Sequence, residues 1–101
     1  MRPVVWSQDA RRDYLDILRY IARDNPIAAE KVADAIEKAG HALGDSPSGR
    51  RGRVTGTYEK LVGRLPCIIA YAVTSRGGRE TIAILRVIHA ARDWPAEDWP
   101  D

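Results

Sequence analysis

The sequence predicts an α+β domain of order β-α-α-β-β-β, in which a helical hairpin packs on one face of an antiparallel sheet. Two observations carry this prediction. Residues 10–43 contain two apolar stripes of helical period, separated by Asp24-Asn25-Pro26. After residue 52, three short runs rich in apolar and β-branched residues are separated by turn signals.

The helical part follows a short first strand, Pro3–Trp6, and Ser7 is placed to cap the first helix. The stripe of that helix consists of Ala10, Tyr14, Ile17, Leu18 and Ile21. Asn25 and Pro26 begin the second helix, because Asn caps well and the N–H that Pro lacks has no partner in a first turn. Its stripe consists of Ala29, Val32, Ala33, Ile36, Ala39 and Leu43. The two helices therefore form a hairpin with a very short loop.

The sheet follows residues 44–52, which are loop by composition. The predicted strands are Tyr58–Val62, Cys67–Val73 and Thr81–His89. In the last strand, strict alternation places Ile82, Ile84, Arg86 and Ile88 on one face and Thr81, Ala83, Leu85, Val87 and His89 on the other. Both faces are largely apolar, which predicts a central strand. The sheet face without helices, if apolar, would be a groove for a partner.

The bulk properties predict one cytoplasmic domain spanning residues 1–101. No apolar run approaches the roughly 18–20 residues that a membrane span needs, and residues 1–20 mix charged with apolar positions, unlike a signal peptide. Cys67 is the only cysteine, so no internal disulfide is possible. Two widely spaced histidines and one cysteine predict no metal site, and the glycines match no phosphate-binding or dinucleotide-binding motif. We therefore expect no cofactor.

Charge is unevenly spread along the chain. Residues 50–92 contain nine basic residues and two acidic ones, a balance of +7. Since the net charge of the chain is +2, the remaining residues carry −5. Such asymmetry predicts an anionic partner for the C-terminal half, either an acidic protein or RNA, although a basic surface can also serve only solubility.

Several short segments, taken in order, are similar to one protein family. They are Val5-Trp6-Ser7 with Ala10 and Asp13, Ile17 with Tyr20-Ile21-Ala22, Asp24-Asn25-Pro26 with Ala28-Ala29, Gly49–Gly52, Gly56-Thr57 and Ile84–Pro95. With these segments the chain resembles the RelE/ParE toxins of type II toxin–antitoxin systems over essentially its whole length. It is closest to the ParE-like branch, whose last strand reads Ile-x-Arg-Val-Leu-His-x-x-Arg-Asp. Here Ile84, Arg86, Val87, Ile88, His89, Arg92 and Asp93 match, with Ile88 in place of Leu.

The resemblance implies a growth-inhibiting toxin, of the kind that stabilises plasmids. It would form a hetero-oligomer with a cognate antitoxin, a ParD-like or RelB-like DNA-binding dimer. ParE-like members are thought to block DNA gyrase, which we expect here, whereas RelE-like members cut messenger RNA on the ribosome. A third possibility is a degenerate toxin that only binds its antitoxin and helps to repress its own operon.

The resemblance and the charge pattern together select the candidate site residues. The expected contacts with target or antitoxin are Arg50, Arg51, Arg53, Arg86, His89, Arg92, Asp93 and Trp94. If the chain is instead a ribonuclease, the branch implies Glu59 as base, Arg64 and Arg86 on phosphate and His89 as acid.

Two of these residues also have purely structural interpretations. Arg86 could form an ion pair with Glu59 or Glu80, and His89 could be a strand-end histidine bound to the backbone or to Glu59. A Glu59 paired with arginine would have a lowered pKa and would be a poor base. Moreover, Arg86 and His89 are three apart, so they point to opposite faces unless a bulge intervenes.

Overall fold

A helical hairpin lies on one face of a five-stranded sheet in the computed structural model, which describes residues 1–89. The elements are β1 (Val4–Trp6), α1 (Gln8–Ala22), α2 (Pro26–Asp45), β2 (Arg50–Arg51), β3 (Tyr58–Leu61), β4 (Cys67–Arg76) and β5 (Arg79–His89). The predicted α+β class and element order are confirmed. The candidate residues Arg92, Asp93 and Trp94 lie outside the described residues.

The sheet is mixed, with strand order β1-β5-β4-β3-β2. β2, β3, β4 and β5 pair antiparallel, as predicted for the last three, but β1 pairs parallel with β5, with Val4 opposite Ile82 and Trp6 opposite Ile84, so the sheet is not antiparallel throughout. The local sequence pattern could not predict this pairing, because the two strands are neighbours in the sheet but lie near opposite ends of the described chain. β2, in the segment predicted to be loop, has only two residues, too few for a periodic signal.

Both helices begin where the sequence predicts. The Ser7 hydroxyl accepts a hydrogen bond from the Ala10 N–H at 3.0 Å, and the Asn25 side-chain oxygen accepts one from the Ala28 N–H at 3.0 Å. Pro26 occupies the first position of α2. The second helix continues to Asp45, so the first two residues of the predicted loop are helical.

A β-bulge interrupts the pairing of β4 with β5. Tyr71 pairs with Ile84 and Ala70 pairs with Arg86, so Leu85 is an extra residue on β5. Strict alternation along this strand is therefore wrong, because the extra residue resets the order in which side chains face the two sides.

The bulge assigns the apolar side chains of β5 differently from the prediction. Ile84 and Val87, predicted to lie on opposite faces, are both fully buried in the core beneath the helices. Ile88, predicted to share a face with Ile84, instead packs in a second cluster with Ala70, Ile68 and Val54. The strand is internal to the sheet, as predicted, between β1 and β4.

The helix-free face of the sheet is only partly open. Val54, from the loop between β2 and β3, packs against Ala70 and Ile88, which are almost completely buried. The expected continuous apolar groove is therefore interrupted at this point. Leu61, at the end of β3, remains 62% exposed.

Two glycines let α2 approach the sheet closely. A Cβ on Gly40 would lie 3.0 Å from the Trp6 ring and 3.1 Å from the Ile84 side chain. A Cβ on Gly44 would lie 2.6 Å from the Arg2 carbonyl oxygen. Because this oxygen belongs to the backbone, a side-chain rotation cannot move it away. Because the two positions are one turn apart, both glycines lie on the same face of α2, near its C-terminal end.

We expect Gly44→Ala to destabilise the fold by about 1–3 kcal/mol, since the new methyl group must displace backbone. Gly40→Ala makes the same chemical change in the same helix but meets only side chains, so its cost should be smaller. Both substitutions gain about 1 kcal/mol of helix propensity. Thermal unfolding of the two variants compares them directly. Equal or greater stability of Gly44→Ala than wild type would contradict the close approach.

Candidate functional site

The residue that precedes α1 is hydrogen-bonded to the bulge of β5. The Ser7 N–H donates to the Ile84 carbonyl at 2.9 Å, and the Ser7 hydroxyl donates to the Leu85 carbonyl at 2.9 Å. Since β1 pairs with β5 only as far as Ile84, the following carbonyl would otherwise lie on an open edge. Ser7 therefore caps the helix and the bulge together.

Six residues after Ser7, Asp13 of α1 binds Arg86. The Asp13 carboxylate accepts from Arg86 Nε at 2.6 Å and from Arg86 Nη2 at 2.9 Å. It also accepts from the Val87 N–H at 3.0 Å. The side chains of Asp13 and Arg86 are only 6% and 11% exposed. Such a bidentate, charge-assisted contact is the strong form of an ion pair, and it orients both side chains.

This contact identifies an ion-pair partner of Arg86. The ion-pair interpretation is confirmed in kind, but its proposed partners were wrong: Arg86 binds Asp13 and neither Glu59 nor Glu80. Glu80 pairs with Arg2 at 2.7 Å, and Glu59 pairs with other arginines. With two of its donors on a buried carboxylate, Arg86 is held toward the helices.

Glu59 lies at the centre of an arginine cluster. Its carboxylate accepts from the Arg53 backbone N–H and from Arg53 Nε, each at 3.0 Å, and Arg50 Nη2 lies 3.7 Å away. Burial alone would raise the pKa of Glu59. The hydrogen bonds from Arg53 and the charges of Arg53 and Arg50 outweigh burial, so this pKa lies below its ordinary value. The carboxylate thus organises the loop that follows β2 and is a weak base.

His89 is 7% exposed at the end of β5, where it pairs with Cys67 of β4. Its ring meets Tyr20 of α1 edge to face, with centroids 5.9 Å apart. His89 and Arg86 both contact α1, through Tyr20 and Asp13 respectively. The bulge lies before Arg86, so the pairing from Arg86 to His89 is regular and the two residues still alternate to opposite faces of β5.

The remaining candidates in the described part of the chain are surface residues. Arg51 is exposed on β2, and Arg64 is exposed in the turn between β3 and β4. Glu59, Ala70 and Arg86 form one row across three strands. The row does not bring the two charged side chains together, because Glu59 is bound by the loop and Arg86 by α1.

Sequence reasoning missed Asp13 as a site residue. A signal was present, since Asp13 is three residues after Ala10 and four before Ile17, which places it within the apolar stripe of α1. A carboxylate at a buried position needs a charged partner. The predicted strand Thr81–His89 is largely apolar and contains one arginine, Arg86, which supplies this charge.

Two further features bear on the class of protein. Among residues 1–89, no helix combines the length and apolar character that a membrane span requires. The same residues contain no group of three or more His, Cys, Asp or Glu side chains placed to hold a metal ion.

Solved structures from toxin–antitoxin systems have this fold. The chromosomal ParDE toxin–antitoxin system of P. aeruginosa includes a chain that superimposes with a TM-score of 0.79 at 22% identity, covering 88% of this chain and 96% of that one. The RelBE2 toxin–antitoxin complex of Mycobacterium tuberculosis includes one with a TM-score of 0.58 at 25% identity, covering 90% and 93%. The arrangement of two helices on a mixed sheet is thus that of the RelE/ParE toxins.

Sequence comparison identifies the family. The family model for the ParE toxin of type II toxin–antitoxin systems, parDE, matches residues 4–94. Toxin RelE2 of Caulobacter vibrioides is 36% identical over 93 residues, covering 91% of this chain and 99% of that protein. Y4kP of Sinorhizobium fredii, described as a candidate toxin, is 37% identical over 91 residues, covering 89% and 90%. The chain belongs to the ParE toxin family, within the RelE/ParE toxins of type II toxin–antitoxin systems.

We expect Asp13→Asn to lower the free energy of unfolding by about 3–5 kcal/mol, because it leaves the Arg86 guanidinium buried without its counter-charge. Asp16→Asn is the matched control on the same helix. The Asp16 side chain is 46% exposed and lies 3.8 Å from Arg19, so we expect its loss to cost less than about 1 kcal/mol. Urea denaturation measures both variants. Similar values for the two would refute a structural role for the buried pair.

The lowered pKa of Glu59 predicts a pH-dependent contribution to stability. A carboxylate whose pKa is lower in the folded than in the unfolded chain stabilises the fold above its ordinary pKa of 4.5. That contribution disappears as pH falls through the folded value. The stability difference between wild type and Glu59→Gln should therefore be constant near neutral pH and change progressively below pH 4.5.

Glu30→Gln is the control for this measurement, because Glu30 is exposed on α2 and forms no ion pair within residues 1–89. Its unfolding free energy should follow the wild-type curve across the whole pH range. If Glu59→Gln did the same, the arginine cluster would not stabilise the ionised carboxylate.

Proposed function

We propose that this toxin acts by inhibiting DNA gyrase through protein contacts, and that a cognate antitoxin neutralises it. The proposal rests first on the ParE family match, which extends over residues 4–94. It rests second on the state of the residues that a ribonuclease would need.

The observation that carries the proposal is the Asp13 clamp on Arg86. A phosphate-stabilising arginine must reach the scissile group, but this guanidinium is 11% exposed and donates twice to a carboxylate. The proposed base, Glu59, is bound by Arg53 and has a lowered pKa. General base catalysis is most efficient with a pKa near the working pH, so both groups are better suited to holding the fold.

The proposed antitoxin is a ParD-like or RelB-like protein, by analogy with the structural neighbours, which were solved as toxin–antitoxin systems. Several large apolar side chains on this chain are suited to such a partner. Val5, Leu15, Ile27 and Leu61 are 46–68% exposed. Scattered apolar side chains are by themselves ordinary on a protein surface, so the analogy with the neighbours carries this proposal.

A ribosome-dependent messenger RNA endoribonuclease is the second candidate. One observation favours it: Arg86 and His89 both contact α1, through Asp13 and Tyr20. The relatives include proteins named RelE2 and RelBE2. In this function, Arg64 would be the phosphate ligand accessible from solvent.

The decisive experiment is expression of the chain alone while DNA and protein synthesis are followed separately. We expect DNA synthesis to fall first, with induction of the DNA-damage response and continued translation. An immediate halt in translation with continued DNA synthesis would reject gyrase as the target. Unimpaired growth without antitoxin would instead indicate the degenerate toxin.

Two exposed arginines provide matched variants for the same assay. Arg51 belongs to the proposed gyrase contact and Arg64 to the ribonuclease set. Within residues 1–89 neither forms an ion pair, so neither substitution should impair folding. We expect Arg51→Ala to weaken toxicity about tenfold or more and Arg64→Ala to retain it, with a hot-spot contact costing over about 1.4 kcal/mol. The reverse order would favour the ribonuclease.

A further inference from the structure

The hairpin that joins β4 to β5 extends beyond the rest of the sheet. β3 pairs with β4 only as far as Tyr71, and β1 pairs with β5 only from Ile82. Residues 74–81, here called the arginine arm, therefore form a two-stranded ribbon of three residue pairs, closed by Gly77-Gly78. Both glycines have positive φ, as a tight two-residue hairpin turn requires. At about 3.4 Å per residue, the ribbon is roughly 10 Å long.

Two arginines lie directly opposite each other at the tip of the arm. Arg76 pairs with Arg79 across the ladder, and both are exposed. Like charges at directly opposed positions destabilise a sheet. Within residues 1–89 neither guanidinium has an ion-pair partner, and Glu80, the only acidic residue from Lys60 to His89, pairs with Arg2 at 2.7 Å. The arm keeps an unfavourable charge pair that an anionic ligand would relieve.

The face of the arm that carries these arginines has only small side chains behind them. Pairing and alternation place Arg76 and Arg79 first, then Thr74 opposite Thr81, with alanines following at the base. Residues 74–81 include no apolar side chain beyond threonine methyl groups. Small side chains behind a cationic tip allow a broad anionic surface to approach the backbone.

We propose that the arginine arm is a binding site for duplex DNA. The ribbon would enter the major groove, with Arg76 and Arg79 on phosphates or guanine edges. This assignment goes beyond the proposed function, because it gives the chain itself a nucleic-acid contact that needs neither gyrase nor an antitoxin.

Dimensions and composition favour DNA over other polyanions. The major groove of B-form DNA is about 12 Å wide and 8.5 Å deep, which admits a two-stranded ribbon of this length. The major groove of A-form RNA is too narrow for side chains to read. Protein interfaces usually have apolar or aromatic residues at their centre, and the arm offers none.

The test is binding of the full-length chain to a short fluorescent DNA duplex, measured by anisotropy at several salt concentrations. The variant is Arg76→Gln with Arg79→Gln. By counterion release, loss of two phosphate contacts should weaken binding roughly 10- to 100-fold near 0.1 M salt. The slope of log affinity against log salt should fall by about 2. Replacing two opposed charges should not lower the melting temperature, which verifies that the variant is folded.

The control is Arg12→Gln with Arg23→Gln, which removes the same charge from exposed positions at α1. It should weaken DNA binding much less. Equal losses in the two variants would mean attraction by net charge only, and would overturn the proposal. Equal affinity of the wild-type chain for duplex DNA and for duplex RNA would also overturn it. So would an Arg76→Gln, Arg79→Gln variant that loses binding to polyglutamate but retains binding to DNA. Because gyrase is absent from this assay, its outcome is independent of the cellular target.

Discussion

The Asp13 carboxylate, held between the Arg86 guanidinium and the Val87 N–H, is the constraint on which the rest of the fold depends. β1 has only three residues, so it cannot cover the edge of β5 beyond Ile84. An uncovered edge of an internal strand would expose unpaired backbone groups. The first turns of α1 take the place of the missing strand, since Ser7 binds the Leu85 carbonyl and Asp13 binds the next accessible N–H.

The charged candidates Glu59 and Arg86 are separated by the partners that each one binds. They lie in one cross-strand row in which Ala70 stands between them. Arg86 binds Asp13, whose carboxylate also accepts from the Val87 N–H, whereas Glu59 binds Arg53 in the loop after β2. The two opposite charges therefore belong to two separate ion pairs, one with α1 and one with that loop.

Local chemistry explains which features the sequence could predict. The helices followed from stripes such as Val32 and Ile36 and from the caps Ser7 and Asn25, all of which act within a few residues. The parallel pairing of β1, the two-residue β2 and the bulge depend on contacts across the chain, which periodicity does not record. For the same reason the sequence offers an ion pair as one interpretation of Arg86 but does not indicate its partner, 73 positions away.

The structure divides the arginines of residues 50–89 into two groups. Arg50, Arg53 and Arg86 contact acidic residues within the chain. Arg51, Arg64, Arg76 and Arg79 are exposed and form no ion pair within residues 1–89. The ten-residue strand β4 separates the extremes of the second group. Arg64 lies three residues before this strand and Arg76 ends it, so the two are about 30 Å apart. A partner seated at the His89 end of the sheet therefore leaves the arginine arm accessible, so the two surfaces can be occupied together.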